Sequence, residues 1–142
     1  MAREKGIADE KLAYGLLRAL AGLNLLMHGA SRILGGASAF SGKMQAEFAH
    51  SVLPPVLTQL FFSVLPPVEM ILGALLLIGL RTRATLVAAM VWMMVLTFGS
   101  SLIQDWQAAS IQLLYGLVYA ALLGLRRFDG LSIDAWMRRS RE

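Results

Sequence analysis

The sequence predicts an all-α protein: a four-helix transmembrane bundle with both termini cytoplasmic and an amphipathic, interfacial helix in the first outer loop. Three observations carry this. The 142 residues are 57% hydrophobic and only 15% charged, with a mean hydropathy of +0.63, where a soluble domain usually carries about 25% charge. Four apolar stretches approach the roughly 20 residues a helix needs to cross a bilayer. The basic residues gather where those stretches would meet one side of the membrane. Composition also excludes chemistry. With no cysteine, disulfides, thiol relays, thiolate zinc sites and cysteine-held iron–sulfur clusters are ruled out. Residues 1–142 are enough for a single membrane domain. The lipid bilayer is its first partner. The +4 net charge is spread over the ends of the spans, so nucleic acid is not expected.

The elements follow in order. The first span covers about residues 12–34, with Arg3, Lys5 and Lys11 before it. Its basic start, and the Ala37-Ser38-Ala39 that follows it, resemble a signal peptide. But signal h-regions are short and uncharged, and this one is long and holds Arg18, Asn24 and His28. It is therefore expected to remain as a span. An outer loop takes residues 35–65, with a helix near 41–52. The second span covers about 66–80, the third 84–103 and the fourth 108–125, with a cytoplasmic tail over 126–142. Arg81 and Arg83 fill the turn between the second and third spans. Arg126, Arg127, Arg138, Arg139 and Arg141 follow the fourth. The pattern is that of a multi-pass protein of a cell membrane, with the bacterial inner membrane as its expected home. Trp106 and Trp136 suit aromatic anchors at the outer and inner interfaces.

The pentapeptide SVLPP occurs twice, at residues 51–55 and 63–67. Proline suits the first turn of a helix and disfavours helix in the residue before it. Each copy therefore predicts a break. The piece between them would lie along the outer interface, and the second span would start at Pro66 with Glu69 in its first turn.

The first span has a polar face. At 100° per residue, Arg18, Gly22, Asn24, His28, Gly29 and Arg32 share about half of the wheel. Leu12, Leu16, Leu20, Leu23 and Met27 take the lipid side. In the fourth span Gly116, Ala120 and Gly124 repeat every four residues, a stripe expected to pack against a neighbour. Helical rise places His28, Arg32, Glu69, Gln112 and Tyr115 toward the outer side, with Asn24 below them. These six are the candidate ligand-binding residues. Arg18 lies about 15 Å below His28. It is expected to reach the inner surface, or to bond backbone carbonyls and Tyr119. No metal site is expected: Glu47 and His50 form one i,i+3 pair, the pattern of a solvated helix face. Bis-histidine haem is not expected either, because His50 falls outside the spans.

The chain resembles the DoxX family of small four-helix membrane proteins, which includes the DoxD-like small subunit of thiosulfate:quinone oxidoreductase. The likeness rests on "LLRALAGLNLLMHGASRI", "PPVEMILGALLLIGLRTRA", "TFGSSL" and "GLSIDAW". Arg18, Gly22, His28 and Gly29 match the family's first-helix pattern, and Glu69, Gly73 and Gly79 its second. Arg32 stands where the family commonly has lysine, which keeps the charge and changes its geometry. The resemblance implies a subunit of a quinone-linked oxidoreductase, with a bound quinone or a similar apolar ligand in the outer half of the bundle. No flavin or nicotinamide motif is present, so no cofactor is expected to be intrinsic. Any redox cofactor would sit on a partner oxidoreductase subunit. Homo-oligomerisation is the other association the sequence leaves open. Two other readings stand beside this one: a non-catalytic scaffold, assembly factor or lipid-binding protein, and a small transporter or channel.

Overall fold

A computed structural model describes residues 8–141, and the basic pair Arg3 and Lys5 lies outside them. Among the described residues every regular element is helical. They are α1 (Asp9–Leu34), α2 (Ala37–Glu47), α3 (Pro55–Ile78), α4 (Thr82–Leu102), α5 (Trp106–Gly124), a 3₁₀ turn (Arg126–Phe128) and α6 (Ile133–Arg139). Helices α3, α4 and α5 are long and apolar enough to cross a membrane. Helix α1 has 26 residues, but Arg18, Asn24 and His28 interrupt its apolar run. Its two faces divide as the periodicity predicts. Arg18, Gly22 and Gly29 are buried, while Leu12, Leu16, Leu20, Leu23 and Met27 are exposed.

The expected break at Pro66 does not occur. Helix α3 runs 24 residues from Pro55 to Ile78 and carries Pro66 and Pro67 inside it. The second span therefore begins eleven residues before the expected position, and the segment between the two SVLPP copies is helix rather than an interfacial strip. The competing costs explain this. An interior proline costs about 3 kcal/mol. Unwinding an apolar helix in lipid leaves several backbone groups unpaired at several kcal/mol each. The first SVLPP does act as a start signal, with Pro54 at the N-cap and Pro55 at N1. The loop helix is also displaced. It runs from Ala37 to Glu47, not 41–52, because Gly36 takes φ = 100° and turns the chain sharply just after α1.

The long helices associate as two close pairs, α1 with α3 and α4 with α5, with sparser contact between the pairs. Glycine makes the first pair close. A Cβ on Gly22 would strike the Leu77 backbone, one on Gly73 the Leu26 backbone, and one on Gly29 the Pro66 carbonyl. Such seams let backbones approach where larger residues would hold them apart. The fourth-span stripe behaves otherwise. A Cβ on Gly116 or Gly124 meets nothing within 4 Å, so this stripe is open within the single chain rather than packed.

The two pairs are joined at one end by polar bonds. Arg18 is 3% exposed. Its guanidinium donates to the carbonyls of Leu76, Leu77 (3.0 Å) and Leu131 (2.8 Å). It thus reaches the C-terminal end of α3, where the Leu77 carbonyl lacks a helical partner and that of Leu76 also accepts from the Gly79 N–H. Backbone oxygens rather than Tyr119 are its hydrogen-bond partners. Gly79 ends α3 at φ = 70°, where a Cβ would also strike Ser132 and Arg18. Asp134 then accepts from the backbone N–H of Arg81 (2.8 Å) and Thr82 (2.7 Å), at the start of α4. Burial pushes the Asp134 carboxyl up, but those N–H bonds outweigh it and hold the group below its usual value. The "GLSIDAW" segment is therefore a clasp that caps two helices at once.

Candidate functional site

The gap between the two helix pairs encloses a cavity of about 210 Å³. Asn24, His28 and Arg32 reach it from α1, Glu69 from α3, and Gln112 and Tyr115 from α5. All six residues chosen from the sequence thus border one space. Its apolar wall consists of Leu25, Met93, Leu96, Ala108 and Ile111, with Tyr119 beside them. Periodicity could not single these out, because their types match the rest of the core.

Helical spacing explains the polar face. Asn24, His28 and Arg32 are four residues apart, so they stack along one side of α1. The His28 Nδ1 lies 2.8 Å from the Asn24 carbonyl oxygen. A carbonyl only accepts, so Nδ1 carries a proton in this contact and Nε2 is the ring nitrogen that faces away from it. The His28 ring meets that of Tyr115 edge to face, with centroids 6.2 Å apart. Gln112 Nε2 donates to Ser100 Oγ at 3.0 Å, while its Oε1 is buried without a partner. A buried amide oxygen in that state is unfavourable unless something donates to it.

Glu69 and Arg32 form an ion pair. The Glu69 side chain is 3% exposed and that of Arg32 is 26% exposed. Continuous α3 sets the carboxylate fourteen residues past Pro55, about 21 Å along the helix. It therefore lies in mid-helix rather than in the first turn expected from the second SVLPP, yet still level with the end of α1, where Gly29 abuts Pro66 and Met70. Arg32 extends from near the end of α1 to meet it. The outer side of the guanidinium lies over the Phe40 ring of α2, 4.9 Å from its centroid, in cation–π geometry. Phe40 went unnoticed in the sequence, since the sharp turn at Gly36 that folds α2 back against α3 leaves no periodic signal. Glu47 and His50 are exposed and outside this site.

A second, more open groove of about 480 Å³ runs along the lipid-side surface of α4 and α5. Met90, Met93, Met94, Gln112, Gly116 and Ala120 are among its walls. Met93 and Gln112 border both spaces. They are the partition between the polar cavity and the outside of the helix pair.

The model of the DoxX family matches residues 13–101 of this chain. That region holds Asn24, His28, Arg32 and Glu69, while Gln112, Tyr115 and the "GLSIDAW" clasp lie beyond it. No curated protein and no solved structure matches the chain.

Proposed function

The chain belongs to the DoxX family, and from that premise we propose that it is a membrane subunit binding the head group of a quinone, or of a similar apolar ring compound, between its two helix pairs. In this proposal α1 crosses the bilayer with α3, α4 and α5. The four close a bundle whose two termini share the basic, cytoplasmic side. The observation that carries the proposal is the convergence of Asn24, His28, Arg32, Glu69, Gln112 and Tyr115 on one cavity with an apolar wall.

Size narrows the ligand. Drug-sized ligands occupy pockets of roughly 300–1,000 Å³. A cavity of about 210 Å³ suits a single ring. The adjoining α4–α5 groove suits an apolar tail and offers entry from the bilayer. Quinone oxygens only accept, so they would take the Tyr115 hydroxyl, an Asn24 amide N–H and the second N–H of Gln112 Nε2, while Gln112 Oε1 would accept from the hydroxyl of the reduced ring. The ring face would lie on Leu25, Met93 and Leu96. Reduction of a quinone takes up two protons. His28 Nε2 and Glu69 are the groups placed to hold and pass them. The electrons would come from a partner subunit.

The non-catalytic reading has its own support: the Arg32–Glu69 pair is satisfied within the chain, as a structural pair would be. Binding of a short-chain benzoquinone analogue to the purified protein decides between them. We expect saturable binding, weakened about tenfold by Gln112→Leu through loss of one or two hydrogen bonds, at about 0.5–1.5 kcal/mol each, with an unchanged melting temperature. Absence of binding to the wild-type protein would leave the structural reading in place.

A further inference from the structure

We propose that the clasp end of the molecule holds the phosphate of an anionic phospholipid between Arg81, Arg83 and Arg126. A groove of about 590 Å³ opens there beside α4. The three arginines come from separate places: the α3–α4 turn, the first turn of α4 and the 3₁₀ turn after α5. They meet at this groove.

Like Arg141, and unlike the other described arginines, they have no side-chain partner in the protein. Arg18, Arg138 and Arg139 donate to backbone carbonyls, Arg32 pairs with Glu69, and Arg127 lies over the Phe128 ring. The side chains of Arg81, Arg83 and Arg126 make no hydrogen bond or ion pair with another described residue. The nearby carboxylate, Asp134, is already engaged by the backbone N–H groups of Arg81 and Thr82. Three forked guanidiniums around one space match the oxygens of a phosphate group.

The floor of the groove shows which phosphate fits. Ala84, Val87 and Ala88 lie under the arginines. Their i, i+3, i+4 spacing makes one face of α4, which continues to Val91, itself 52% exposed. An acyl chain would follow that track while the head group stays with the arginines. A free phosphate has no use for it. The site also sits where an apolar span ends, at the level of lipid head groups, and basic pockets between spans take anionic lipids there.

Native mass spectrometry from detergent tests the site, using phosphatidylglycerol and phosphatidylcholine with identical acyl chains. Preferential retention of phosphatidylglycerol is expected. At about 1 kcal/mol per arginine near the surface, each of Arg81→Gln, Arg83→Gln and Arg126→Gln should weaken retention about fivefold, and the triple variant about a hundredfold. Lys43→Gln, on α2 and distant from the groove, should change nothing. Equal retention of the two lipids, or full retention by the triple variant with an unchanged melting temperature, would overturn the proposal. Displacement of the lipid by millimolar glycerol phosphate would overturn the lipid assignment in favour of a soluble anion.

Discussion

Glu69 and Arg32 are buried to unequal extents, and that asymmetry yields a prediction at the scale of the residue. Breaking a fully buried pair costs about 3–5 kcal/mol, because the survivor is left charged and desolvated. Arg32, at 26% side-chain exposure, has a route to water, whereas Glu69, at 3%, has none. Arg32→Gln should therefore lower the melting temperature in detergent more than Glu69→Gln does. The double variant should recover part of the loss. A larger loss for Glu69→Gln would show that the burial of the pair has been misjudged. The glycines give a second comparison. Gly73→Ala drives a methyl into the Leu26 backbone and should cost about 1–3 kcal/mol or more, the range for overpacking. Gly116→Ala meets open space and should be neutral. Both glycines lie inside apolar helices, and only the neighbouring backbone tells them apart.

Among the elements, α3 departs most from its sequence. Pro67 is exposed and lies in mid-helix. Pro67→Ala would restore an N–H that can bond the Ser63 carbonyl. It should leave the fold intact and raise stability, by up to about 3 kcal/mol. Collapse of the variant would mean that the proline break is needed after all. The clasp supplies a pH test. The Asp134 carboxyl titrates below its usual value when folded. Its stabilising contribution is thus complete above the unfolded value of about 3.9 and is lost as pH falls through the lower, folded one. Melting temperature should hold down to about pH 4–5 and then drop. Asp134→Asn should lose about 1 kcal/mol at neutral pH, as when a helix cap is removed, and its melting temperature should fall less steeply with acid. An equally steep fall would assign the acid sensitivity to another carboxylate.

For the whole molecule, the two-pair architecture and the charge pattern make separate predictions. Close packing within pairs and sparse contact between them place the cavity at the looser boundary, where a ligand can enter without breaking a glycine seam. A Cβ at Gly116 meets nothing within 4 Å, so Gly116→Leu can extend into the groove beside that boundary and narrow it. It should slow the arrival and departure of a quinone analogue by similar factors, with affinity nearly unchanged; loss of affinity alone would argue against entry by that side. Orientation is checked by single cysteines in this cysteine-free chain. A membrane-impermeant thiol reagent on intact cells should label Ser41→Cys and spare Ser140→Cys. The opposite pattern would reverse the topology.

The sequence by itself determined the helical class, the apolar elements and the polar side of α1, because each follows from composition or from a period of 3.6 residues. The same period stacked Asn24, His28 and Arg32 on one face and brought Gln112 and Tyr115 to a similar level. What it could not determine was the continuity of α3, since proline's local preference is the same in water and in lipid, and only the cost of unpaired backbone groups reverses the outcome. Nor could it show Phe40 over Arg32, or Asp134 capping α4. Asp134 is more than fifty residues from the N–H groups it accepts from. Contacts at that separation depend on how whole helices pack, and only the tertiary structure decides which helix end meets which side chain.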